Sequence, residues 1–337
     1  MAHDWLLLET LGDEPVVVAQ GRQLKNMVPL SAFLRRSPYL AAIAEAAAGT
    51  ARTGAGLSRA FPNSDRVIRT EAVTMSDGRV HGVHLWTGPA AAEVPQRPIP
   101  GPLLWDLTTG LATDTPESLR NAGMDPELEE THGRTFAEDL PRKELVANET
   151  KVLSLTIHCD PGDKICSMWD VSDQNGDLIS VGWVARANLE TMPDGGEHLI
   201  SRAMNWRGER QGPPLAPDHL GQRILDGLAQ PGVYRALVDI HSWTLLKWLD
   251  DPCPYYDWRT PGEEVVHPDD EPVTKAMTKE FVDGPTSRVL QLKAKSGGWV
   301  RVHVTVNRVD LDEKTVAGLL TFRLPTPAEL IQTERTR

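Results

Sequence analysis

A β-meander pattern recurs three times along the chain, and it restricts the fold to one built largely from antiparallel hairpins. Runs with the alternation of strands fill 151–186 and 287–324, and a weaker copy fills 67–88. Turn signals separate the runs, such as Asn175-Gly176, a dipeptide that favours the tight turns of hairpins. The pattern predicts a series of small antiparallel sheets, with the run at 151–159 as the first strand of the middle copy.

Each meander closes a segment that opens with an apolar, tryptophan-bearing strand, at Trp5, Trp105 and Trp243. A proline-rich break at 94–102 follows the first segment. Residues 188–221 follow the second, and they combine glycine and proline with a helix-like stretch, HLISRAMNW. The predicted divisions are an N-terminal module at 1–92, a second module at 98–190, a connector with a helix at 191–220, a C-terminal module at 221–325 and a tail at 326–337.

Short helices are predicted between the opening strands and the meanders. Ser37 and Thr115 each precede a proline, which is the signature of an N-cap followed by Pro at the first helical position. Gly123 marks the C-terminal end of the second of these helices. Strands, short helices and then a meander predict an α+β fold, in which each antiparallel sheet carries short helices on one face.

The motif HPDD at 267–270 precedes a helical pattern of apolar residues. Pro268 has no backbone amide to donate, and either Asp269 or Asp270 can accept from the free amides at the start of a helix. The motif therefore predicts a corner in which these two aspartates are structural helix caps rather than reactive groups.

Together with the following hairpin, which contains SGGW at 296–299, this motif resembles the closing half of PAS domains. The likeness covers 234–324, while the PAS- or GAF-like character of the first two modules rests on topology alone. The whole chain resembles an actinobacterial, mycobacterial family of cytosolic proteins that carry three sensor-type domains of unassigned function. This resemblance implies three consecutive PAS/GAF-like modules, with any ligand held between a sheet and its short helices.

The strand at 299–309 predicts one face of such a ligand pocket, because its valines alternate with polar residues. An aromatic cluster precedes it and supplies large apolar surface with a few hydrogen-bonding groups. The candidate pocket residues are Trp243, Tyr255, Tyr256, Trp258, Val302 and Val304. The alternative is that the same residues pack to native density and leave no space, which would make the module a protein-interaction domain.

Charge and cysteine content restrict the partners. The net charge of −12, without a run of Lys or Arg, argues against nucleic acid as a partner. Acidic residues interrupt the N-terminus where a signal peptide would be apolar, and no later stretch is long enough for membrane insertion, so a cytoplasmic location is expected. Cys159 and Cys166 lack the second ligand pair of a structural zinc site, so no metal and no cofactor is predicted.

Two functions remain open at this point. The sequence contains no phosphate-binding loop, dinucleotide fingerprint or nucleophile elbow, which favours a non-enzymatic sensor or scaffold that binds a small apolar molecule or an unknown protein partner. The alternative is an enzyme whose site lies between modules and uses His, Cys and Asp from separate segments. A cleft that contains His158, Cys159 or His241 would favour the enzyme, and one lined by Val, Leu and Trp would favour the sensor.

Overall fold

The chain forms three antiparallel sheets connected by short helices, which confirms the α+β class. The computed structural model describes residues 4–140, 149–193, 195–209, 219–259 and 265–336. The chain divides into two compact units: the first comprises Met1–Trp105, Thr113–His132 and Asp160–Leu215, and the second comprises Asp106–Ala112, Gly133–Cys159 and Ala216–Arg337. No helix in the described ranges is long and apolar enough to cross a membrane.

The first sheet has the order β3-β2-β1-β6-β5-β4. Its elements are β1 (Leu6–Glu9), β2 (Val16–Gln20), β3 (Gln23–Pro29), α1 (Leu30–Phe33), α2 (Leu40–Thr53), β4 (Leu57–Ala60), β5 (Arg66–Thr74) and β6 (Val80–Pro89). The hairpin predicted at 67–88 is formed by β5 and β6. Helix α2 packs Ile43 and Ala47 onto Leu8, Val17 and Ile68 of the sheet, because its small residues allow a close approach.

The second sheet has the order β10-β11-β12-β7-β8-β9. Its strands and the helices between them are β7 (Gly101–Asp106), β8 (Leu111–Thr113), α3 (Pro116–Asn121), β9 (His132–Thr135), α4 (Phe136–Asp139), α5 (Glu149–Ile157), β10 (Lys164–Ser172), β11 (Leu178–Thr191) and β12 (Glu197–Arg207). The helix start predicted at Thr115 is confirmed, since its side chain accepts from the Ser118 amide in a capping box. Gly123 follows that helix with a positive φ of 85°.

Two predictions for the middle meander were wrong. The run at 151–159 is not a strand, because Glu149–Ile157 forms α5, and a short apolar run cannot distinguish a strand from a buried helix by its period. The stretch HLISRAMNW is not a helix, because it lies in β12, which pairs with β11 along its length. All residues from Ile200 to Trp206 are buried, so this strand shows no alternation. The meander is therefore β10-β11-β12, and 197–207 is not a connector.

The third sheet has the order β14-β13-β17-β16-β15. Its elements are α6 (His219–Gly227), β13 (Tyr234–Asp239), β14 (Thr244–Trp248), α7 (Glu271–Glu280), β15 (Thr286–Lys293), β16 (Trp299–Asp310), β17 (Val316–Arg323) and α8 (Pro327–Thr336), the last of which occupies the predicted tail. The meander predicted at 287–324 is confirmed as β15-β16-β17. Val302, Val304 and Val306 are buried, and Trp299 on the other face is exposed, as the alternation predicts.

Buried charged groups join strands in the first compact unit. Arg186 on β11 donates twice to Glu9 on β1, at 3.0 and 2.8 Å. His81 on β6 is fully buried, with Nδ1 donating to the Ala203 carbonyl at 2.8 Å and Nε2 accepting from Arg202 at 3.1 Å. Burial lowers the pKa of His81 to about 4, so this histidine is neutral when it makes these two bonds.

Candidate ligand-binding site

The HPDD corner is attached to the edge of the third sheet. The His267 amide donates to the Gln291 carbonyl at 2.9 Å, and the Lys293 amide donates to the Val265 carbonyl at 2.9 Å. Val266 forms an isolated bridge with Leu292. Residues 265–267 therefore run alongside β15 and cover its free edge before α7 begins.

The prediction that Asp269 or Asp270 caps the helix was wrong. His267 is the capping residue, since its Nδ1 accepts from the Asp269 amide at 3.1 Å at the start of the 3-10 turn Pro268–Asp270. Asp270 precedes α7 in helical conformation (φ −96°, ψ −2°), not in the extended one that a capping side chain needs, and it makes no capping bond. Its buried carboxylate instead accepts a hydrogen bond from the backbone amide of Gln291 at 2.7 Å. The side chain of Asp269 is mainly exposed.

A cavity of about 390 Å³ lies within the second compact unit, against one face of the third sheet. We call it the inner cavity. Val304, Leu320 and Phe322 line it from the sheet, Tyr256 and Trp258 from the preceding loop, and further residues from the corner and α7. Its volume is within the range of ordinary small-molecule pockets. The expectation that these residues pack without leaving space therefore differs from the structure.

Contacts among aromatic side chains explain why the space against this face of the sheet stays open. Tyr256 stacks on Phe322 with ring centroids 5.4 Å apart, and Trp248 contacts Trp258 edge-on at 5.7 Å and Phe322 at 5.6 Å. These large, rigid side chains pack on one another at preferred aromatic distances. They are therefore not free to collapse into the space beside them.

Trp243 lines the inner cavity from the turn between β13 and β14. Its φ is 59°, in the left-handed region that a bulky side chain rarely adopts. Its indole nitrogen donates to the Thr278 hydroxyl on α7 at 3.0 Å, and Thr278 also donates to the Thr274 carbonyl at 3.1 Å. A strained residue held by a specific hydrogen bond in a cavity wall is a feature of functional sites.

Of the six candidate pocket residues, the structure brings four together around the inner cavity: Trp243, Tyr256, Trp258 and Val304. Tyr255 lies elsewhere, with its ring edge-on to Tyr234 at 5.4 Å and its hydroxyl donating to the Gly232 carbonyl at 3.4 Å. Val302 is fully buried in the core of the same sheet and does not line the inner cavity.

Three lining residues come from much earlier in the chain, and no sequence pattern indicates that they would line a pocket. They are Thr109, Gly110 and Thr135, from the segments 106–112 and 133–159 of the second compact unit. Gly110 has a φ of 76°, and a Cβ atom there would lie 2.8 Å from Cγ2 of Thr244. A glycine at this point therefore permits both the turn and the close approach to β14.

Paired polar groups attach these early segments to the third sheet. Lys247 on β14 pairs with Glu149 of α5, and their side chains are 2% and 8% exposed. The Ser154 hydroxyl donates to Asp312 at 2.6 Å, and this bond is the largest cause that lowers the pKa of Asp312 to about 2. Ion pairs that are this well buried depend on each partner, since either charge alone would be costly in the interior.

The described residues that line the inner cavity carry almost no charge. None of the described residues that line it is Lys, Arg or His, and Glu271 is the single lining carboxylate among them. Glu271 is largely exposed and pairs with Lys275 at 2.6 Å, which lowers the pKa of the carboxyl. Burial raises the pKa of Tyr256 well above its ordinary value, so the phenol is neutral at physiological pH.

None of the candidate residues for chemistry lines the inner cavity. Cys166 is partly buried, and its thiol donates to the Lys25 carbonyl at 3.8 Å. Burial raises the pKa of Cys166 to about 12 and that of Cys253 to about 11, which opposes the formation of a thiolate. His158 and His241 are exposed. Within the described ranges, no group of three or more His, Cys, Asp or Glu side chains is placed to hold a metal.

These features define a class: a three-domain α+β protein with one antiparallel sheet in each domain and an apolar cavity against the third sheet. Three family models match the chain: Rv3651-like N-terminal at 4–96, Rv3651-like middle domain at 99–208 and Rv3651-like C-terminal domain at 218–333. The chain belongs to this three-domain Rv3651-like family. The prediction of a mycobacterial family with three domains is confirmed.

Among solved structures, the chain is similar to an uncharacterized protein from Mycobacterium tuberculosis, with 56% identity, 98% of this chain and 99% of the other covered, and a TM-score of 0.91. It also matches a sensory box histidine kinase/response regulator from Burkholderia thailandensis E264, with 15% identity over 38% of this chain and 84% of the other, at a TM-score of 0.23. An RNA-binding light-oxygen-voltage receptor matches with 9% identity over 70% of this chain and 97% of the other, at a TM-score of 0.27. The last two scores are too low to support an argument. No curated protein is significantly similar in sequence.

Proposed function

We propose that the chain is a non-enzymatic cytosolic sensor whose third domain binds a small, largely apolar molecule in the inner cavity. The observation that carries the proposal is the cavity of about 390 Å³ lined by Val304, Tyr256 and Trp258. Pockets of this size that combine apolar and aromatic walls with a few hydroxyls are typical of small-molecule sites.

The origin of the walls of the inner cavity supports the proposal of a signalling role. Thr109, Gly110 and Thr135 belong to the part of the chain matched by the middle-domain family model, whereas the sheet belongs to the C-terminal one. A molecule that contacts both sets of residues stabilises their association, because it binds only where both walls are in place. A change in that association is a signal that a partner protein can read.

The proposal is tested by native mass spectrometry of freshly purified protein, followed by titration with apolar aromatic probes monitored by tryptophan fluorescence. We expect a copurified small molecule, or a saturable response to a probe. Val304→Phe should abolish the response by filling the inner cavity without adding a tryptophan. Val282→Phe is the matched control, since Val282 is 70% exposed and lies outside the cavity lining. The absence of both a copurified molecule and a response to any probe would refute the proposal.

A further inference from the structure

The charge of the inner cavity selects among small molecules. None of the described lining residues carries a positive charge, and the nearest carboxylate, Glu271, is already paired with Lys275 at 2.6 Å. A carboxylate, phosphate or sulfonate that enters this space loses its hydration without gaining an opposite charge, which is strongly unfavourable. The occupant is therefore neutral.

The hydroxyl groups of the lining differ in whether they are already engaged. Ser242 donates to Asp239 at 2.6 Å and is also within 2.8 Å of the Thr244 hydroxyl. The Thr274 hydroxyl donates to the Glu271 carbonyl at 2.9 Å. These hydroxyls have partners within the protein, so they contribute little to the recognition of a ligand.

Tyr256 is different. It lines the inner cavity and is only 5% exposed, yet its hydroxyl hydrogen-bonds to none of the residues that the structure describes. The hydroxyl of Thr109 also has no partner among them, but that oxygen is sealed against protein atoms. A buried phenol without a partner is unfavourable, and it is most simply satisfied by an acceptor in the cavity.

We infer that the inner cavity binds a neutral, mainly aromatic or aliphatic molecule bearing a hydrogen-bond acceptor, a carbonyl or hydroxyl oxygen, which the Tyr256 hydroxyl holds. This inference rests on the proposed function and adds the chemical class of the ligand. The aromatic rings of Tyr256, Trp258 and Phe322 in the cavity wall favour an aromatic ring system in the ligand.

The test uses the full chain and three probes that share one ring system: naphthalene, 2-acetylnaphthalene and 2-naphthoate, with binding measured by ligand-observed NMR titration. For the wild-type chain we expect the ketone to bind and the carboxylate to bind at least roughly tenfold more weakly. Tyr256→Phe should weaken the ketone roughly three- to tenfold and change naphthalene by less than about twofold, because one neutral hydrogen bond is lost.

Tyr255→Phe is the matched control. Its hydroxyl donates to the Gly232 carbonyl and it does not line the inner cavity, so all three affinities should be unchanged. Equal ketone binding by wild type and Tyr256→Phe, or naphthoate binding as tight as that of the ketone, would overturn the ligand class while leaving the proposed function standing. If no probe binds the wild type, the ligand class fails, and the proposed function is then decided by whether native mass spectrometry finds a copurified molecule. The comparison of ketone and carboxylate on the wild type decides the charge argument even if a variant does not fold.

Discussion

The two adjacent aspartates of the HPDD corner should differ sharply in their effect on stability. Asp270 is 0% exposed, and its carboxylate accepts a hydrogen bond from the backbone amide of Gln291 on β15 at 2.7 Å. The side chain of Asp269 is 78% exposed. We predict that Asp270→Ala loosens the attachment of the corner to the sheet edge. Asp269→Ala, one residue away, should have almost no effect.

The magnitude follows from the kind of bond removed. A hydrogen bond to a charged acceptor contributes about 1.5–3 kcal/mol. The acceptor lost is a buried carboxylate, but Gln291 itself is only partly buried, so its amide can regain some solvation. We therefore expect a loss of about 2 kcal/mol for Asp270→Ala and less than about 0.5 kcal/mol for Asp269→Ala.

Hydrogen exchange of peptides that span β15 measures this directly, because the Gln291 amide is the donor in the bond. A loss of about 2 kcal/mol corresponds to roughly 30-fold less protection of that amide. Urea unfolding of the same variants provides an independent value. Equal effects of the two substitutions, or a larger effect of Asp269→Ala, would show that the corner is stabilised by helix capping and that our reasoning about β15 is wrong.

Three further predictions concern groups elsewhere in the chain. Glu149→Gln should lower the free energy of unfolding by about 3–5 kcal/mol because it removes the opposite charge that pairs with the buried Lys247. A Glu149→Leu, Lys247→Met double variant should recover most of that loss, as measured by urea unfolding. Gly110→Ala should be roughly 1–3 kcal/mol more destabilising than Gly133→Ala in thermal unfolding, since both have a positive φ but only the first would clash with a neighbour; equal losses would contradict this. Because burial lowers the pKa of His81 to about 4, the unfolded chain takes up this proton first as pH falls, so the contribution of His81 to stability is fully present above about pH 6.5 and is lost as pH falls towards 4. His81→Gln should therefore reduce the slope of stability against pH between about 6.5 and 4, and an unchanged slope would refute the assignment.

Local sequence patterns determined the strands that have one buried and one exposed face. Alternation along 299–309 predicted which valines are buried, and the turn signals predicted the hairpins of the first and third sheets. Alternation is reliable there because one face of the strand meets the core and the other meets solvent. Where both faces are buried, as in β12, the alternation disappears, and only the tertiary structure identified the strand.

For the inner cavity, too, the sequence determined some features and the tertiary structure determined others. The sequence determined which part of the chain supplies the aromatic wall, because Trp243, Tyr256 and Trp258 lie close together along it. It did not determine that Thr109 and Thr135 close the cavity, since residues so far apart are brought together only by packing of the folded chain. Whether the space stays open was decided by tertiary structure for the same reason: it depends on how rigid aromatic side chains meet in three dimensions, which no local pattern encodes.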